Sequence, residues 1–494
     1  MRLASVGLPH ASKIFNVSTL NKNVLNAEYA VRGAIVIRAD EINKQLQNNN
    51  HKFPFNDIVF CNIGNPQQLR QKPITFFRNV LSLVTSPELI DNAGLQQTLK
   101  PDVFQRARTI LSGIDSGSTG AYTHSQGLPS IRKNVANFIT RRDNIDDPEL
   151  INPDSIFLTD GASPGVQNGL KALIRDHNDG IMIPIPQYPL YSASITLCGG
   201  QQVGYLLNEQ DGWSLEVEEL ERSLKEATDK GINVRALVII NPGNPTGQVL
   251  SKSNMENVID FCERRGVLLL ADEVYQENVY HEKPFLSFLK VAEEMNKLDT
   301  VEMISYHSVS KGFLGECGRR GGYFHLSPAI DPGVRDQMYK LSSINLCPNV
   351  DGQIMVDLMV NPPKKGEESY EQYNDEKHQI LSSLKRRAVK LVDTLNTLDG
   401  VSCQTAEGAM YAFPTITIPP KAVEEAKKKN IAPDAYYALC MLEEAGLCVV
   451  PGSGFGQKNG TYHFRTTFLP PEEKMDAVLT RVAVFHNNFM TRFA

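Results

Sequence analysis

From residue 155 to residue 326 the chain alternates short apolar runs with longer segments of mixed polarity. Apolar runs of roughly four to eight residues, bounded by Gly, Pro, Asn or Asp, are typical of buried strands. Strands that alternate with helices build a mostly parallel sheet covered by helices. The pattern therefore predicts an α/β fold, with strands near residues 155–159, 180–185, 236–240, 267–271, 301–306 and 322–326.

Polar and small residues follow the predicted strands at their carboxyl ends. Ligands bind at that edge of an open α/β sheet, because loops from neighbouring strands meet there. No Gly-x-Gly-x-x-Gly motif follows a strand, so a dinucleotide site is not indicated. The candidate functional residues at this edge are Gly161, Ala162, Ser163, Tyr188, Asn244, Asp272, Tyr275 and Lys311.

Lys311 is the candidate nucleophile of this set. It follows an apolar run and is flanked by small residues, which places it where a strand ends. A lysine removed from water loses some of its preference for the charged form and becomes a usable amine nucleophile. The same residues also fit a surface lysine in a glycine-rich loop.

Two further segments could bind anions. The small-residue turn at 160–164 precedes a helix, and the N–H groups at a helix start attract negative charge. We predict Ser163 as the N-cap and Pro164 as the first helical residue, although an ordinary capped helix fits equally. Arg465 lies in an alternating segment, where it is either an inward anion anchor or a strand residue facing water.

Composition excludes several classes of partner. The formal net charge of −6 offers no positive footprint for a nucleic acid. The eight cysteines form no Cys-x-x-Cys pair and no Cys/His cluster, so we expect reduced thiols and no metal site. No apolar run approaches the roughly 18 residues of a transmembrane helix, so no membrane partner is expected.

Residues 1–27 are predicted to form an N-terminal arm. They include Arg2, Lys13 and Lys22 but no acid, which weakly resembles an organelle transit peptide. The segment contains no further arginine, and Pro9 would break the helix that such a peptide forms. We therefore expect a cytoplasmic protein, with the mitochondrial matrix as the alternative.

Four motifs together resemble one known family. They are Asn-Pro-Gly-Asn-Pro-Thr-Gly at 241–247, Ala-Asp-Glu-Val-Tyr at 271–275, Ser-Val-Ser-Lys at 308–311 and Tyr-His-Phe-Arg at 462–465. In this order they resemble the class I, fold-type I aminotransferases that depend on pyridoxal 5′-phosphate (PLP). The resemblance extends from about Glu28 to the C-terminus.

Within that family, the chain is most similar to alanine aminotransferases. The similar strings lie at 28–33, 63–67, 185–191 and 311–323. The resemblance implies a reversible reaction of L-alanine and 2-oxoglutarate to give pyruvate and L-glutamate. The alternatives are another amino-donor specificity, for example with glyoxylate as acceptor, or a cofactor-binding protein with little activity and a regulatory role.

The resemblance assigns five residues to the ring of the cofactor. Lys311 would be the Schiff-base lysine and, once free, the group that moves the α-proton of the substrate. Asp272 would pair with the pyridinium nitrogen and keep it protonated. Tyr275 and Asn244 would hydrogen-bond the ring hydroxyl oxygen, and Tyr188 would stack on the ring.

Other residues are implied in binding carboxylate and phosphate. Arg465 would hold the substrate carboxylate through a bidentate pair, with Gly64 and Asn244 beside it. The family commonly has its phosphate arginine eight residues after the lysine; Arg319 has that spacing, but the Arg-Gly-Gly match favours Arg320. The residues implied at the phosphate are Ala162, Ser163, Ser308 and Arg320, with Tyr122 from a neighbouring subunit.

The resemblance also implies the domain organisation. A large three-layer α/β/α domain would span residues 100–366 and end where the segment 361–366 breaks the strand–helix pattern. A smaller α+β domain would combine residues 28–99 and 367–494, from both chain ends. The role of Tyr122 implies a homodimer with shared sites, acting on small amino acids and 2-oxo acids.

Overall fold

The structure is a computed structural model, and it describes residues 15–29, 33–48, 52–281 and 284–494. Residues 1–14 of the predicted arm and residues 30–32 of the string at 28–33 lie outside the described residues. The helices are α1 (Lys22–Asn26), α2 (Ala34–Leu46), α3 (Thr75–Thr85), α4 (Ala93–Thr98), α5 (Pro101–Ser112), α6 (Pro129–Asp143), α7 (Ala162–Leu173), α8 (Pro189–Cys198), α9 (Val217–Asp229), α10 (Lys252–Arg265), α11 (Phe288–Glu294), α12 (Pro332–Ile344), α13 (Val350–Val360), α14 (Tyr370–Leu395), α15 (Pro420–Lys428), α16 (Pro433–Ala445) and α17 (Met475–Phe493). The strands are β1 (Val59–Phe60), β2 (Ile156–Thr159), β3 (Asp179–Ile185), β4 (Gln201–Leu206), β5 (Asn233–Ile240), β6 (Leu268–Asp272), β7 (Met303–Ser308), β8 (Gly322–Leu326), β9 (Val401–Ser402), β10 (Tyr411–Ala412), β11 (Thr415–Ile416), β12 (Leu447–Cys448), β13 (Val450–Pro451) and β14 (Phe464–Thr467).

A seven-stranded sheet lies at the centre, in the order β2–β8–β7–β6–β5–β3–β4. Neighbouring strands are parallel from β7 to β4, whereas β8 is antiparallel to both β2 and β7. The predicted α/β fold with a mostly parallel sheet is therefore confirmed. The strand predicted at 301–306 begins two residues later, since β7 begins at Met303. The N–H of Val301 donates instead to the carbonyl of Lys297 in the preceding turn.

Helices cover both faces of this sheet. Successive side chains of a strand point to opposite faces, so one strand contributes to two cores. Leu237 and Ile239 of β5 pack with α6 and α10, whereas Ala236, Val238 and Ile240 pack on the other face with α7 and α8. The result is the three-layer α/β/α arrangement that was expected.

A further core is formed mainly by the C-terminal part of the chain. It contains residues of α14, α16 and α17 and of the short strands β10, β11, β12 and β14. The N-terminal part joins it, because Cys61 is buried there and β1 pairs in parallel with β12. The smaller α+β unit thus draws on both chain ends. Helix α3 packs in the core of the large sheet, and the domain boundaries at 99/100 and 366/367 stay a prediction.

Two expectations from composition concern thiols and membranes. All eight cysteines are free thiols. Burial raises the pKa of Cys61 to about 12, so this thiol is protonated at neutral pH and packs as a small apolar residue. In the described parts of the chain, no helix combines the length and the apolar character needed to cross a membrane.

Candidate active site

A cavity of about 420 Å³ opens where the carboxyl ends of the parallel strands face the smaller unit. Its lining comes from the loops after the parallel strands, the start of α7, the turn before β8, β10 and β14, and the N-terminal residues Tyr29 and 63–65. Of the candidate site residues, Gly161 and Tyr122 do not line it; those that do are Gly64, Ala162, Ser163, Tyr188, Asn244, Asp272, Tyr275, Ser308, Lys311, Arg320 and Arg465. The sheet edge predicted from sequence is thus the edge that forms this cavity.

Lys311 reaches the cavity from the loop after β7. Its Nζ donates a hydrogen bond to the carbonyl oxygen of Gly64 at 2.5 Å. A Cβ at Gly64 would lie 3.0 Å from that Nζ and would collide with the hydroxyl of Tyr411. Glycine is therefore required at position 64 by the close approach of two side chains, and Lys311 lies inside the cavity rather than in a solvated loop.

Asp272 lies at the end of β6 and is only 4% exposed. Its carboxylate accepts hydrogen bonds from the Tyr191 hydroxyl at 2.8 Å and from the Val274 N–H at 3.4 Å. Burial raises the pKa of Asp272 to about 6, although these hydrogen bonds and the charge of Lys311 oppose the shift. No basic side chain among the described residues forms an ion pair with it.

Arg465 lies on β14 and is 1% exposed, so the water-facing alternative is wrong. Its Nη1 donates to Asn244 Oδ1 at 3.0 Å, and its Nη2 donates to the carbonyl of Asn62. The guanidinium lies 4.2 Å from the ring centre of Tyr411 and 4.7 Å from that of Phe455. Its Nε finds no acceptor within the described ranges. A buried guanidinium with a spare donor fits a carboxylate ligand.

The anion-binding turn differs in detail from its prediction. Helix α7 begins at Ala162, with Gly161 rather than Ser163 at the N-cap position. Gly161 has a φ of 89°, a conformation that favours glycine, so backbone geometry overrides the capping preference of serine. Ser163 therefore lies in the first turn of α7, where it and Ala162 line the cavity.

The two adjacent arginines occupy different environments. Arg320 lies across the turn before α7, donating from Nη2 to the Asp160 carbonyl at 3.0 Å and from Nη1 to the Cys317 carbonyl at 2.8 Å. It lines the cavity and pairs with no acid in the described part of the chain. Arg319 pairs instead with Asp351 at 3.5 Å and is not part of the cavity wall. The geometry thus favours Arg320.

Sequence reasoning missed residues that complete the site. Tyr191 lies in the quoted string 185–191, but its bond to Asp272 has no local signal. Tyr411 lies in a strand of two residues, too short for periodicity to show. The hydroxyl of Tyr29 shares a hydrogen bond with that of Tyr188 at 2.7 Å.

The predicted residue Tyr122, by contrast, lies outside the cavity and is 79% exposed.

The charges in the cavity fit PLP and an amino acid. Asp272 is a buried acid that forms no ion pair with any described residue, which suits the protonated nitrogen of a pyridine ring. Arg320 and the first turn of α7 offer unpaired positive charge, which suits a phosphate. Arg465 suits a carboxylate, and the amine of Lys311 lies in the same cavity for an aldehyde.

The chain has known relatives over almost its full length. The aminotransferase class I and II family matches residues 91–482. A Dictyostelium discoideum protein named probable alanine aminotransferase, mitochondrial, is 56% identical, with 97% of this chain and 90% of that protein covered. Alanine aminotransferase 2 of Panicum miliaceum is 52% identical, with 97% and 98% covered. The solved alanine aminotransferase of Pyrococcus furiosus is 25% identical, with a TM-score of 0.73 and coverage of 95% and 100%.

Relatives with other names are also similar. An Arabidopsis thaliana protein named glutamate–glyoxylate aminotransferase 1 is 47% identical, with 98% of each chain covered. A Saccharomyces cerevisiae protein named inactive alanine aminotransferase is 44% identical, with 96% of this chain and 94% of that protein covered. The family match, these identities and the charge pattern of the cavity lead to one assignment. The chain belongs to the class I and II aminotransferases, which depend on pyridoxal 5′-phosphate.

Proposed function

We propose that the protein is an alanine aminotransferase that converts L-alanine and 2-oxoglutarate reversibly into pyruvate and L-glutamate. The cavity supports it, because Lys311, Asp272 and Arg465 bring an amine, an acid and a carboxylate anchor together. Two relatives that match 97% of the chain carry the alanine aminotransferase name, and these names support L-alanine as the amino donor.

The proposed roles near the reacting carbon follow from position and charge. PLP, when bound, supplies the electron sink that makes the α-proton of an amino acid removable. Lys311 would hold the cofactor through its amine and, once released, would take the α-proton and return it one atom away. The carbonyl of Gly64, 2.5 Å from Nζ, would orient that amine. Asp272 would keep the ring nitrogen protonated.

The remaining roles are binding and orientation. Arg320, Ser308 and the first turn of α7 would hold the phosphate, while Tyr188 would cover the ring face. Arg465 would hold the substrate carboxylate, and Asn244 would link this arginine to Tyr275 beside the ring hydroxyl. A substrate fixed at both ends presents one face of its α-carbon to Lys311, which favours the reaction by orientation.

Half-reactions of the purified holoenzyme test this function. Adding L-alanine or L-glutamate should bleach the absorbance of the bound cofactor, and adding pyruvate or 2-oxoglutarate should restore it. Restoration by glyoxylate in preference to both would favour the alternative that the Arabidopsis relative suggests. A holoenzyme that no amino acid bleaches would instead support a regulatory, cofactor-binding protein, the alternative suggested by the yeast relative.

Arg465→Lys should raise the KM for L-alanine about 10- to 100-fold, because a point charge replaces the fork that binds both carboxylate oxygens. The effect on kcat should be smaller than the effect on KM. Steady-state kinetics with both L-alanine and L-glutamate measure it. An unchanged KM for both substrates would remove Arg465 from the proposed site.

Arg320→Gln should weaken PLP retention about tenfold or more, since a charge-assisted contact to phosphate is lost. Arg319→Gln is the matched control, because it removes the same charge one residue away, from an ion pair with Asp351 outside the cavity. Dialysis against a PLP-free buffer, followed by absorbance, compares the two variants. Faster loss from Arg319→Gln than from Arg320→Gln would reverse the assignment.

We also propose a homodimer with shared sites. Tyr122 is exposed and lies outside the cavity of its own chain, which leaves it available to a neighbouring subunit. Light scattering should give a mass of twice the chain's 54.9 kDa. A monomer that is fully active would contradict shared sites.

The compartment stays a prediction. We propose the cytoplasm, with the mitochondrial matrix as the alternative that the name of the Dictyostelium relative supports. A fluorescent fusion of the full chain in a eukaryotic cell separates the two, since import into mitochondria would overturn the cytoplasmic proposal.

A further inference from the structure

Tyr411 connects two parts of the site that are far apart in sequence. It lies on β10, which pairs in antiparallel fashion with β14, the strand that carries Arg465. The Tyr411 ring packs against the guanidinium of Arg465, 4.2 Å from ring centre to carbon. Its hydroxyl oxygen accepts a hydrogen bond from the hydroxyl of Tyr275 at 3.1 Å. The side chain is buried except where it lines the cavity.

These contacts close into a ring of four side chains. Arg465 donates to Asn244 at 3.0 Å, Asn244 donates to Tyr275 at 3.4 Å, and Tyr275 donates to Tyr411. The packing of Tyr411 on Arg465 completes the ring. Its members come from four separate segments, so a change at one member is transmitted to the others through direct contacts.

The surroundings of the two hydroxyls of this ring act on their pKa values in opposite directions. Burial raises the pKa of Tyr275 well above its usual value, and the neighbouring Tyr411 adds to this shift. Burial would also raise the pKa of Tyr411, but the charges of Lys311 and Arg465 outweigh it and hold that pKa below the usual value. The Tyr411 hydroxyl, 3.1 Å from that of Tyr275, is free to rotate and is both a donor and an acceptor. It can donate to the Tyr275 oxygen when a ligand oxygen takes the Tyr275 hydrogen.

We propose that Tyr411 is a positioning residue for both cofactor and substrate, its hydroxyl acting through Tyr275 and its ring acting through Arg465. This inference rests on the proposed function. The hydroxyl polarises Tyr275 toward the ring hydroxyl oxygen of the cofactor, because hydrogen bonds in a chain strengthen one another. The ring keeps the guanidinium in one plane for a carboxylate, through a cation–π contact removed from water.

Two substitutions separate the two contributions. Tyr411→Phe removes the hydroxyl and keeps the ring, so the pH midpoint of the bound cofactor's absorbance change should rise by about half to one pH unit. That midpoint should rise because the cofactor oxygen loses part of the hydrogen bonding that stabilises its negative charge. Binding of succinate, an unreactive dicarboxylate, should stay within about threefold of the unsubstituted protein, since the cation–π contact survives.

Tyr411→Leu removes the ring as well, and should weaken succinate binding about tenfold in addition to shifting the midpoint. Tyr411→Met, which is also apolar and of similar volume, replaces it should the leucine variant fail to fold. Tyr437→Phe is the control, because Tyr437 is a buried tyrosine of the same core whose hydroxyl bonds His486 away from the cavity. Both readouts should be unchanged in this control.

Absorbance titrations of the holoenzyme give both readouts without turnover. An unchanged midpoint in Tyr411→Phe would overturn the link to Tyr275. Unchanged succinate binding in the leucine or methionine variant would overturn the link to Arg465. Failure of the proposed function is a separate result, because it would show as a lack of bleaching by L-alanine in the unsubstituted protein.

Discussion

Replacing Lys311 by alanine is expected to lower transamination by at least about 10⁴-fold, because the substitution removes the residue that we propose both holds the cofactor covalently and moves the α-proton. A positioned acid–base group alone contributes roughly 10²- to 10⁴-fold, and loss of the nucleophile adds to this. The variant should still bind PLP, because Asp272, Arg320 and the first turn of α7 do not depend on the lysine. Steady-state rates and the cofactor content of the purified variant measure both effects.

Two further observations distinguish this role from a structural one. Borohydride treatment should fix the cofactor covalently at residue 311 of the unsubstituted protein and not in Lys311→Ala, as mass spectrometry would show. A small primary amine such as methylamine should restore part of the rate, because it supplies the missing base in the space that alanine leaves. Near-normal turnover of Lys311→Ala would refute the assignment.

Lys377→Ala is the matched control for this substitution. Lys377 pairs with Glu277 at 3.1 Å and lies 4.6 Å from the ring of Phe313, two residues after Lys311. Its loss perturbs the same loop without touching the cavity wall. We expect the activity of this variant to stay within about threefold of the unsubstituted protein, since ion pairs that water still reaches contribute little.

The sequence predicted the site best where a motif combines a strand end with a distinctive residue. Asp272 and Lys311 follow long apolar runs, and the strand pattern alone places them at one edge of the sheet. Arg465 needed the family resemblance, because an arginine in an alternating strand faces inward or outward with no local signal to decide. The rings of Tyr411 and Phe455, 4.2 and 4.7 Å from its guanidinium carbon, help to bury it.

Details set by backbone conformation could not be predicted from residue type. Serine is a preferred N-cap, yet Gly161 holds that position because the turn needs a positive φ. Spacing could not choose between Arg319 and Arg320. In the structure a short turn ends with Arg320 in the left-handed conformation, at a φ of 52°, and its side chain then meets the cavity.

Contacts between distant segments were the least predictable. Tyr411 meets Tyr275, which is 136 residues away in the chain, through a strand of only two residues. Neither periodicity nor a turn signal marks such a residue. Only the tertiary fold therefore shows that Tyr411 belongs to the site, where we propose that it positions Tyr275 and Arg465.

Replacing Asp272 by asparagine is expected to lower kcat with L-alanine by about 10²- to 10⁴-fold. Asparagine has almost the same shape and can still accept the hydrogen bond from Tyr191, so the fold and the cavity should persist. The charge is lost, and breaking a buried charge pair costs about 3–5 kcal/mol, which corresponds to that range of rates. Steady-state kinetics and thermal unfolding of the holoenzyme together separate a lost charge from a lost fold.

The direction of the pKa of Asp272 gives this prediction a second readout. Burial raises the pKa of this carboxyl to about 6, although the charge of Lys311 opposes the shift. A protonated ring nitrogen beside it would lower that pKa, so bound PLP should keep Asp272 ionised at lower pH than in the cofactor-free protein. Carboxyl titration by infrared or NMR spectroscopy, with and without PLP, should show that downward shift. An unchanged pKa on PLP binding would contradict the pairing of Asp272 with the ring nitrogen.

Glu273→Gln provides the control that makes the result specific. Glu273 is the next residue along the chain, is also buried, and lies outside the cavity wall. Burial raises its pKa to about 7, so it carries much less charge at neutral pH than an exposed glutamate, and glutamine can keep the hydrogen bond accepted from the Phe288 N–H at 2.8 Å. Activity of Glu273→Gln should therefore stay within about threefold of the unsubstituted protein. Equal losses in the two variants would mean that substitution at this strand end acts through the fold and not through the chemistry, because only Asp272 of the two lines the cavity proposed to hold the cofactor.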